Sequence, residues 1–137
     1  MPRLHVLAVA HRLPDWARAA RDEYLARMPR GYEVRVVQVR PRERARLAER
    51  LPAGARVIAL DERGRDLTSA EFAALLDRPT AFVIGSAEGL DADVRRRAHL
   101  LVRLSSLTLP HALAQVVLAE QLYRAATLRT GHPYHRD

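Results

Sequence analysis

Leu104-Ser105-Ser106-Leu107-Thr108-Leu109-Pro110-His111 is the stretch of sequence that decides the fold. It is too polar for the centre of a strand, and Pro110 has no amide hydrogen to give to a helix interior. An apolar run over 99–104 leads into it, and a long apolar segment over 112–128 follows. The pattern predicts a short loop between a buried strand and a buried helix. Because open α/β sheets bind small ligands at the carboxyl ends of their strands, we expect a ligand site at this loop.

The rest of the chain alternates predicted strands with predicted helices, five of each, which indicates an α/β fold with a mostly parallel sheet and helices on both faces. One domain over 1–137 is expected. The strand at 32–39 alternates in polarity and is placed near the sheet edge, and the strand at 55–60 is expected to end at Leu60, before a loop at 61–64. The predicted strands are 4–10, 32–39, 55–60, 80–84 and a last one that runs through Val102, before the 104–111 loop.

The final predicted helix, 111–129, is apolar around most of its circumference. Such a helix must be buried on several sides, and a chain of 137 residues has little interior in which to bury it twice. Packing one side on the sheet and the other on a second copy would solve this problem. We therefore expect a homodimer.

The formal net charge of +7 arises from 23 basic residues, all of them arginine. The charge is either a solubilising surface or the mark of an anionic partner, for which nucleic acid is favoured over a membrane because no basic amphipathic helix stands out. The arginine-rich segment 40–50 has the same two interpretations, as a solvated helix with charge pairs or as a surface that faces phosphate.

Several classes of protein are disfavoured by what the sequence lacks. There is no cysteine, which excludes disulfides, thiolate zinc sites and a cysteine nucleophile. No secretory signal and no membrane-length apolar run stand out, so the cytoplasm is the expected compartment. The turn over 84–89 matches neither the dinucleotide fingerprint nor the phosphate loop, and is either a ligand turn or a plain connector. No metal-ligand spacing is convincing, so no metal is expected.

The chain ends in His132-Pro133-Tyr134-His135-Arg136-Asp137, which combines an aromatic ring, two imidazoles and a guanidinium. The usual interpretation of such a terminus is a mobile polar tail. The composition also suits stacking on a base and contact with phosphate. His111, at the start of the last helix, could contact a ligand held by the 104–111 loop, whereas His5 and His99 are expected in the core.

Five segments taken together resemble the RlmH family of SPOUT-class methyltransferases, and the resemblance spans the whole chain. The segments are Val9-Ala10 with Pro14-Asp15-Trp16; Tyr24-Leu25-Ala26-Arg27; Phe82-Val83-Ile84-Gly85 through Glu88-Gly89-Leu90; Leu104 to His111; and Ala119-Glu120-Gln121-Leu122-Tyr123-Arg124-Ala125 with His132 to Arg136. The resemblance implies a SPOUT-type fold with a C-terminal trefoil knot. It also implies methylation of N3 of a pseudouridine in 23S ribosomal RNA by a homodimer, with S-adenosylmethionine as donor and assembled ribosomes as substrate.

The resemblance also assigns the site residues. It assigns donor binding to Leu60, Gly85, Leu104, Ser105, Ser106, Leu107, Thr108 and Leu109. It assigns RNA contact and catalysis to Arg124, Tyr134, His135 and Arg136, which could reach across the dimer. His135 would act as the base that removes the proton from N3, and Arg136 or Arg124 would stabilise charge on the base carbonyls.

Two departures from the family pattern bear on these assignments. Many relatives have Gly-Gly where this chain has Gly85-Ser86, so a serine is tolerated there only with an ordinary φ angle. The region 40–55 is shorter than in many relatives, which could trim a surface that faces RNA. Two other functions stay open at this point: a non-catalytic RNA- or ribosome-binding protein with the same fold, and a SPOUT methyltransferase that acts on tRNA.

Overall fold

Five parallel strands form one sheet in the computed structural model, which describes residues 3–86 and 89–134. The strand order is β2-β1-β4-β3-β5, and each neighbouring pair is parallel. The predicted α/β class and parallel sheet are therefore confirmed, as is the edge position of β2. The strands are β1 Leu4–Val9, β2 Val34–Val39, β3 Arg56–Arg65, β4 Thr80–Ile84 and β5 Leu100–Val102.

Helical segments cover both faces of the sheet, because alternate residues of each central strand point to opposite sides. On one face Val6 and Phe82 pack with Leu118, and on the other Leu7 and Val83 pack in a second core cluster. The helices are α1 Asp15–Ala26, α2 Ser69–Ala74, α3 Ala92–Arg97 and α4 His111–Thr130, with 3-10 segments at Pro41–Arg50 and Leu75–Asp77. α1, α2 and α4 lie on the first face, and α3 and Pro41–Arg50 on the second.

Pro41–Arg50, interpreted from its charges as a solvated helix or as a surface that faces phosphate, forms a 3-10 helix. An α-helix would bring like charges together four residues apart, as Arg42 with Arg46. In the 3-10 geometry residues three apart align, so Arg40, Glu43, Arg46 and Glu49 alternate in sign along one row. Only Leu47 and Ala48 of this segment are buried, so tertiary packing does little to impose a full α-helix.

β3 continues past Leu60, where the sequence predicted its end, and finishes at Arg65. Leu60 and Arg65 both pair with Val102 of β5, so residues 61–64 leave the ladder as an arch. The arch closes tightly: a Cβ on Gly64 would lie 2.6 Å from the backbone nitrogen of Val102. The predicted end at Leu60 was wrong because a glycine lets the chain return against the neighbouring strand.

α4 buries one side against α1, α2 and the sheet, through residues such as Leu118, Leu122 and Ala126. Its other side stays partly uncovered within one chain: Leu113 is 36% exposed, and Trp16 on the adjacent α1 is 58% exposed. Within the described residues no helix is both long enough and apolar enough to cross a lipid bilayer.

Candidate functional site

A cavity of about 520 Å³ opens at the carboxyl ends of β3, β4 and β5, which are neighbours in the sheet. Leu60 and the 61–64 arch form one wall, and Gly85 and Ser86 form the floor after β4. The loop between β5 and α4 forms the opposite wall. The cavity therefore lies where a parallel sheet places a ligand, and its volume is typical of sites for small organic ligands.

Seven of the eight residues predicted to bind a ligand line this one cavity. Ser106 lines a smaller neighbouring cavity of about 270 Å³, which shares Ser105, Leu107 and Thr108 with the first. The structure thus brings the predicted set together, and its binding of a methyl donor stays a prediction. The seven residues are Leu60, Gly85, Leu104, Ser105, Leu107, Thr108 and Leu109.

The β5–α4 loop is shaped by its own hydroxyl group. The Leu107 backbone N–H donates a hydrogen bond of 2.9 Å to Oγ of Ser105, a local turn that serine favours. The turn leaves the Leu107 side chain 76% exposed at the rim of the cavity. An exposed leucine beside a cavity supplies apolar surface that a bound ligand could cover.

The turn after β4 requires glycine at position 85. A Cβ there would lie 2.8 Å from the carbonyl carbon and oxygen of Gly89. The Gly89 N–H donates a 2.8 Å hydrogen bond to the carbonyl of Ser86, which closes the turn. Only glycines have positive φ among the described residues, so Ser86 adopts an ordinary backbone conformation. A second glycine is therefore not needed at this position.

His111 joins this turn to the interior of the helical layer. Its Nδ1 lies 3.2 Å from the carbonyl oxygen of Gly85, and its Nε2 lies 2.9 Å from Nε2 of Gln115. Arg21 of α1 donates a 2.8 Å hydrogen bond to Oε1 of Gln115. Burial lowers the pKa of His111 below 6.5, against the opposing effect of its hydrogen bond to Gly85.

The sequence predicted contact between His111 and a ligand at this loop, and His111 does line the cavity. Arg21 and Gln115 were missed. The only signal for Gln115 was a lone polar residue four positions after His111 on an apolar helix, a spacing at which helical side chains meet. Nothing in the sequence points to Arg21, which contacts a residue 94 positions away.

Another part of the cavity wall carries a pair of side chains of opposite charge, Asp61 and Arg95. Arg95 donates a 2.7 Å hydrogen bond to Oδ2 of Asp61, whose other oxygen accepts 2.8 Å from the Arg63 backbone N–H. Asp61 and Arg95 both line the cavity, and the Asp61 side chain is only 9% exposed. Neither residue was predicted. The pair offers both a carboxylate and a guanidinium to a ligand that carries both charges.

The residues predicted to contact RNA form a second cluster at the far end of α4. Tyr134 Oη donates a 2.9 Å hydrogen bond to Oε2 of Glu120, and the guanidinium of Arg124 donates a 2.7 Å hydrogen bond to the same oxygen. The guanidinium carbon of Arg124 lies 5.2 Å from the centroid of the Tyr134 ring. Burial, together with Glu120, raises the pKa of Tyr134 to about 12. His135 and Arg136, also predicted here, lie outside the described residues.

This cluster and the cavity are far apart within one chain. Arg124 follows His111 by 13 residues on α4, which at 1.5 Å per residue is about 20 Å along the helix. Neither Arg124 nor Tyr134 is among the described residues that line the cavity. One chain therefore does not bring the two predicted groups of site residues together. Across residues 3–86 and 89–134, no three histidine or carboxylate side chains are grouped as metal ligands would be.

Comparison with known proteins identifies relatives over the full chain. The model of a family described as predicted SPOUT methyltransferase matches residues 2–135. A protein of Paraburkholderia xenovorans, named ribosomal RNA large subunit methyltransferase H, is 46% identical and aligns with 98% of this chain and 99% of its own. A protein of the same name from Burkholderia thailandensis is also 46% identical over the same shares.

Solved structures with similar folds are more distant in sequence. The SpoU methyltransferase AviRb from Streptomyces viridochromogenes, in complex with AdoMet, is 18% identical with a TM-score of 0.55, over 93% of this chain and 60% of that one. A probable methylase family protein from Haemophilus influenzae is 14% identical with a TM-score of 0.58, over 99% of this chain and 71% of that one. At these identities the likeness bears on the fold alone.

Proposed function

The chain belongs to the SPOUT methyltransferase family, and we propose that it transfers a methyl group from S-adenosylmethionine to N3 of a pseudouridine in 23S ribosomal RNA. The observation that supports this proposal most is the cavity beneath the β5–α4 loop, which is lined by seven of the eight residues that the resemblance assigns to the methyl donor. The near-complete alignment with relatives named ribosomal RNA large subunit methyltransferase H supports the choice of ribosomal RNA.

The residues around the cavity fit the methyl donor. Leu60, Leu104 and Leu109 give it apolar walls for an adenine ring, and the backbone of the loop gives it donors and acceptors for the ring edge. The Asp61–Arg95 pair suits an end that carries an ammonium and a carboxylate. When bound, S-adenosylmethionine supplies a methyl carbon that its sulfonium makes electrophilic. This chain's part is then to hold the acceptor nitrogen in line and exclude water.

The acceptor side of the reaction needs a base, and the described residues narrow the choice. Tyr134 keeps its proton well above neutral pH because its pKa is about 12, and Glu120 already accepts its hydrogen bond. Arg124 is a fixed cation, since Glu120 raises its pKa. These groups suit contact with phosphate or a base carbonyl, not proton removal. We assign proton removal from N3 to His135 and charge stabilisation to Arg124 or Arg136.

A second copy of the chain would complete the site. The cluster of Glu120, Arg124 and Tyr134, here called the tail cluster, lies about 20 Å along α4 from the cavity of its own chain. The partly uncovered side of α4 and the exposed Trp16 of the adjacent α1 offer apolar area to a partner. A homodimer that packs on this area would bring the tail of one protomer to the cavity of the other.

Other features follow from the proposed function and the family. The fold would be a single domain over 1–137 with a C-terminal trefoil knot, and the protein would act in the cytoplasm on assembled ribosomes. The net charge of +7, carried by arginine, suits a ribosomal RNA surface.

The decisive experiment supplies methyl-labelled S-adenosylmethionine with whole ribosomes, isolated subunits, free 23S RNA or tRNA. We expect label in 23S RNA of ribosomes, at N3 of one pseudouridine, as mapped by mass spectrometry of nuclease fragments. Label that appears only in tRNA would favour a tRNA methyltransferase. Ribosome binding without label, together with no donor binding in calorimetry, would favour a non-catalytic ribosome-binding protein.

A further inference from the structure

Three hydrogen bonds connect Arg21, inside the helical layer, to the carbonyl oxygen of Gly85 at the cavity. They join Arg21 to Gln115 at 2.8 Å, Gln115 to His111 at 2.9 Å, and His111 to Gly85 at 3.2 Å. This series of hydrogen bonds from Arg21 to Gly85, here called the line, is shielded from water, since Gln115 is 1% exposed and Arg21 is 9% exposed. It crosses from α1 through α4 to the turn after β4.

The direction of every bond in this line is fixed by chemistry. A guanidinium has only donors, so the atom of Gln115 that faces Arg21 must be the amide oxygen. The amide nitrogen of Gln115 then faces His111 and donates to Nε2, which must carry a lone pair. The proton of a neutral imidazole therefore sits on Nδ1, and Nδ1–H donates to the Gly85 carbonyl, which can only accept.

We propose that Arg21 and Gln115 are positioning residues that hold His111 as the neutral Nδ1–H tautomer, so that His111 fixes the Gly85–Ser86 peptide against the methyl donor. Glycine is required at position 85 because Gly89 lies so close, but glycine leaves the peptide free to rotate. The bond from His111 removes that freedom. The donor part of this inference rests on the proposed function; the tautomer does not.

Protonation of His111 would break the line. A proton on Nε2 would face the amide hydrogens of Gln115, so two donors would oppose each other. The fixed amide therefore keeps the imidazole neutral by geometry, in addition to burial. An apolar residue at position 115 would bury more simply than a glutamine, which must find partners for its oxygen and nitrogen. The glutamine is explained if its task is to orient the histidine.

Nitrogen-15 NMR of the histidine side chains tests the tautomer directly. We expect His111 to carry its proton on Nδ1. His99 is an internal control with the opposite pattern, because the Val57 backbone N–H donates to its Nδ1 at 3.0 Å and leaves the proton on Nε2. A His111 proton on Nε2 in the unaltered protein would overturn the proposal, whatever the protein's activity.

Substitution of Gln115 tests the consequence for the methyl donor. Gln115→Leu removes the amide that faces Nε2, so the His111 ring loses the partner that orients it and can turn away from the Gly85 carbonyl. Loss of the bond to Gly85 should raise the donor Kd in calorimetry by roughly five- to tenfold. If the unaltered protein binds the donor and this variant binds it equally well, the positioning role is wrong. If the unaltered protein binds no donor, the proposed function is wrong instead.

Arg21 provides a second route that does not alter α4. Arg21→Met frees the amide of Gln115 to rotate, and we expect a mixture of His111 tautomers and a weaker donor affinity. Arg21→Lys restores a donor toward the amide oxygen and should recover most of both. Arg18→Met is the matched control, since Arg18 lies on the same helix and pairs with exposed Asp15. Equal behaviour of the Arg21→Met and Arg18→Met variants would contradict the proposal.

Discussion

Tyr134 and Glu120 are joined by a 2.9 Å hydrogen bond in which the phenol donates to a carboxylate oxygen. The same oxygen accepts a 2.7 Å hydrogen bond from Arg124, so one carboxylate of α4 holds both Tyr134 and Arg124. In Glu120→Gln the negative charge is lost, and we expect the pKa of Tyr134 to fall below about 12 while burial keeps it above its ordinary value. The shift of the Tyr134 ring carbons in NMR, followed as the pH is raised, measures this change.

Glu49→Gln is the control for that measurement, because Glu49 is exposed on Pro41–Arg50. It should leave the Tyr134 titration unchanged. If Glu120→Gln also leaves it unchanged, the tail does not occupy this position in solution.

Mixed dimers test whether two copies build one site. Leu107→Arg fills the rim of the cavity, and Arg124→Ala removes a cation from the tail cluster, so each variant alone should lose methyl transfer. In an equal mixture, half of the dimers pair one copy of each kind, and each such dimer holds one intact site. Methyl transfer to ribosomes should therefore recover to about a quarter of the normal rate.

Two further outcomes of the mixing experiment are informative. Recovery should follow the slow exchange of subunits and should vanish if the variants are crosslinked as homodimers before mixing. No recovery in a mixture shown by mass spectrometry to contain mixed dimers would mean that each site is built within one chain.

Leu107→Ala separates donor binding from stability. Leu107 is 76% exposed, so truncation should change the free energy of unfolding by less than about 0.5 kcal/mol. If a bound donor covers the side chain, the donor Kd should rise roughly tenfold from lost apolar contact. Leu60→Ala is the contrasting variant, since Leu60 is buried and should also lose about 2–5 kcal/mol of stability.

Urea unfolding and donor calorimetry on the two leucine variants give both quantities. A Leu107→Ala protein that binds the donor normally would show that Leu107 does not contact the donor. A Leu107→Ala protein that is markedly less stable would show that Leu107 also packs in the fold.

Gly64→Ala tests the closure of the 61–64 arch. The added Cβ would lie 2.6 Å from the backbone nitrogen of Val102, so β3 and β5 must separate locally. We expect a loss of about 1–3 kcal/mol in urea unfolding, as for other overpacked sites. Gly54→Asn is the control, because a side chain there meets nothing within 4 Å and asparagine tolerates the positive φ of 79°. Equal stabilities would show that the arch opens freely.

Acid should weaken the fold through His111. Burial holds the pKa of His111 below 6.5 in the folded chain. As the pH falls through 6.5, the unfolded chain therefore binds more protons than the folded chain does. The contribution of His111 to the free energy of unfolding is therefore fully present above pH 6.5 and is lost as the pH falls from 6.5 toward the folded pKa. His5 contributes in the same sense, since burial and Arg35 lower its pKa. Urea unfolding at pH about 8 and about 5 measures the loss.

His111→Gln should lose less stability over that interval than the unaltered chain. His11→Gln, which replaces an exposed imidazole, should lose the same amount as the unaltered chain. A loss of equal size in all three proteins would assign the acid sensitivity to other groups.

Local patterns predicted the sheet and the loops at its ends. Continuous apolar runs marked β1, β3 and β4. Thr68-Ser69-Ala70-Glu71 has the spacing of a capping box, and the structure forms that box at the start of α2. The β5–α4 loop was predicted from Pro110 and from its polar residues between apolar segments. These features depend on neighbours in the chain, so periodicity and turn chemistry are sufficient to find them.

Features that depend on distant contacts were not predicted. The link between Arg21 and Gln115 spans 94 residues, and the Asp61–Arg95 pair spans 34. The extension of β3 depends on how closely Gly64 approaches Val102, which a single strand pattern does not contain.

The pairing of both Leu60 and Arg65 with Val102 has a consequence for how this protein can vary. Because both ends of the arch pair with the same residue of β5, residues inserted or deleted between Leu60 and Arg65 need not shift the register of the sheet. The arch carries Asp61, Glu62 and Arg63 to the cavity. Evolution, or an engineer, could thus remodel this wall of the pocket as an independent module, without disturbing the strands that support it.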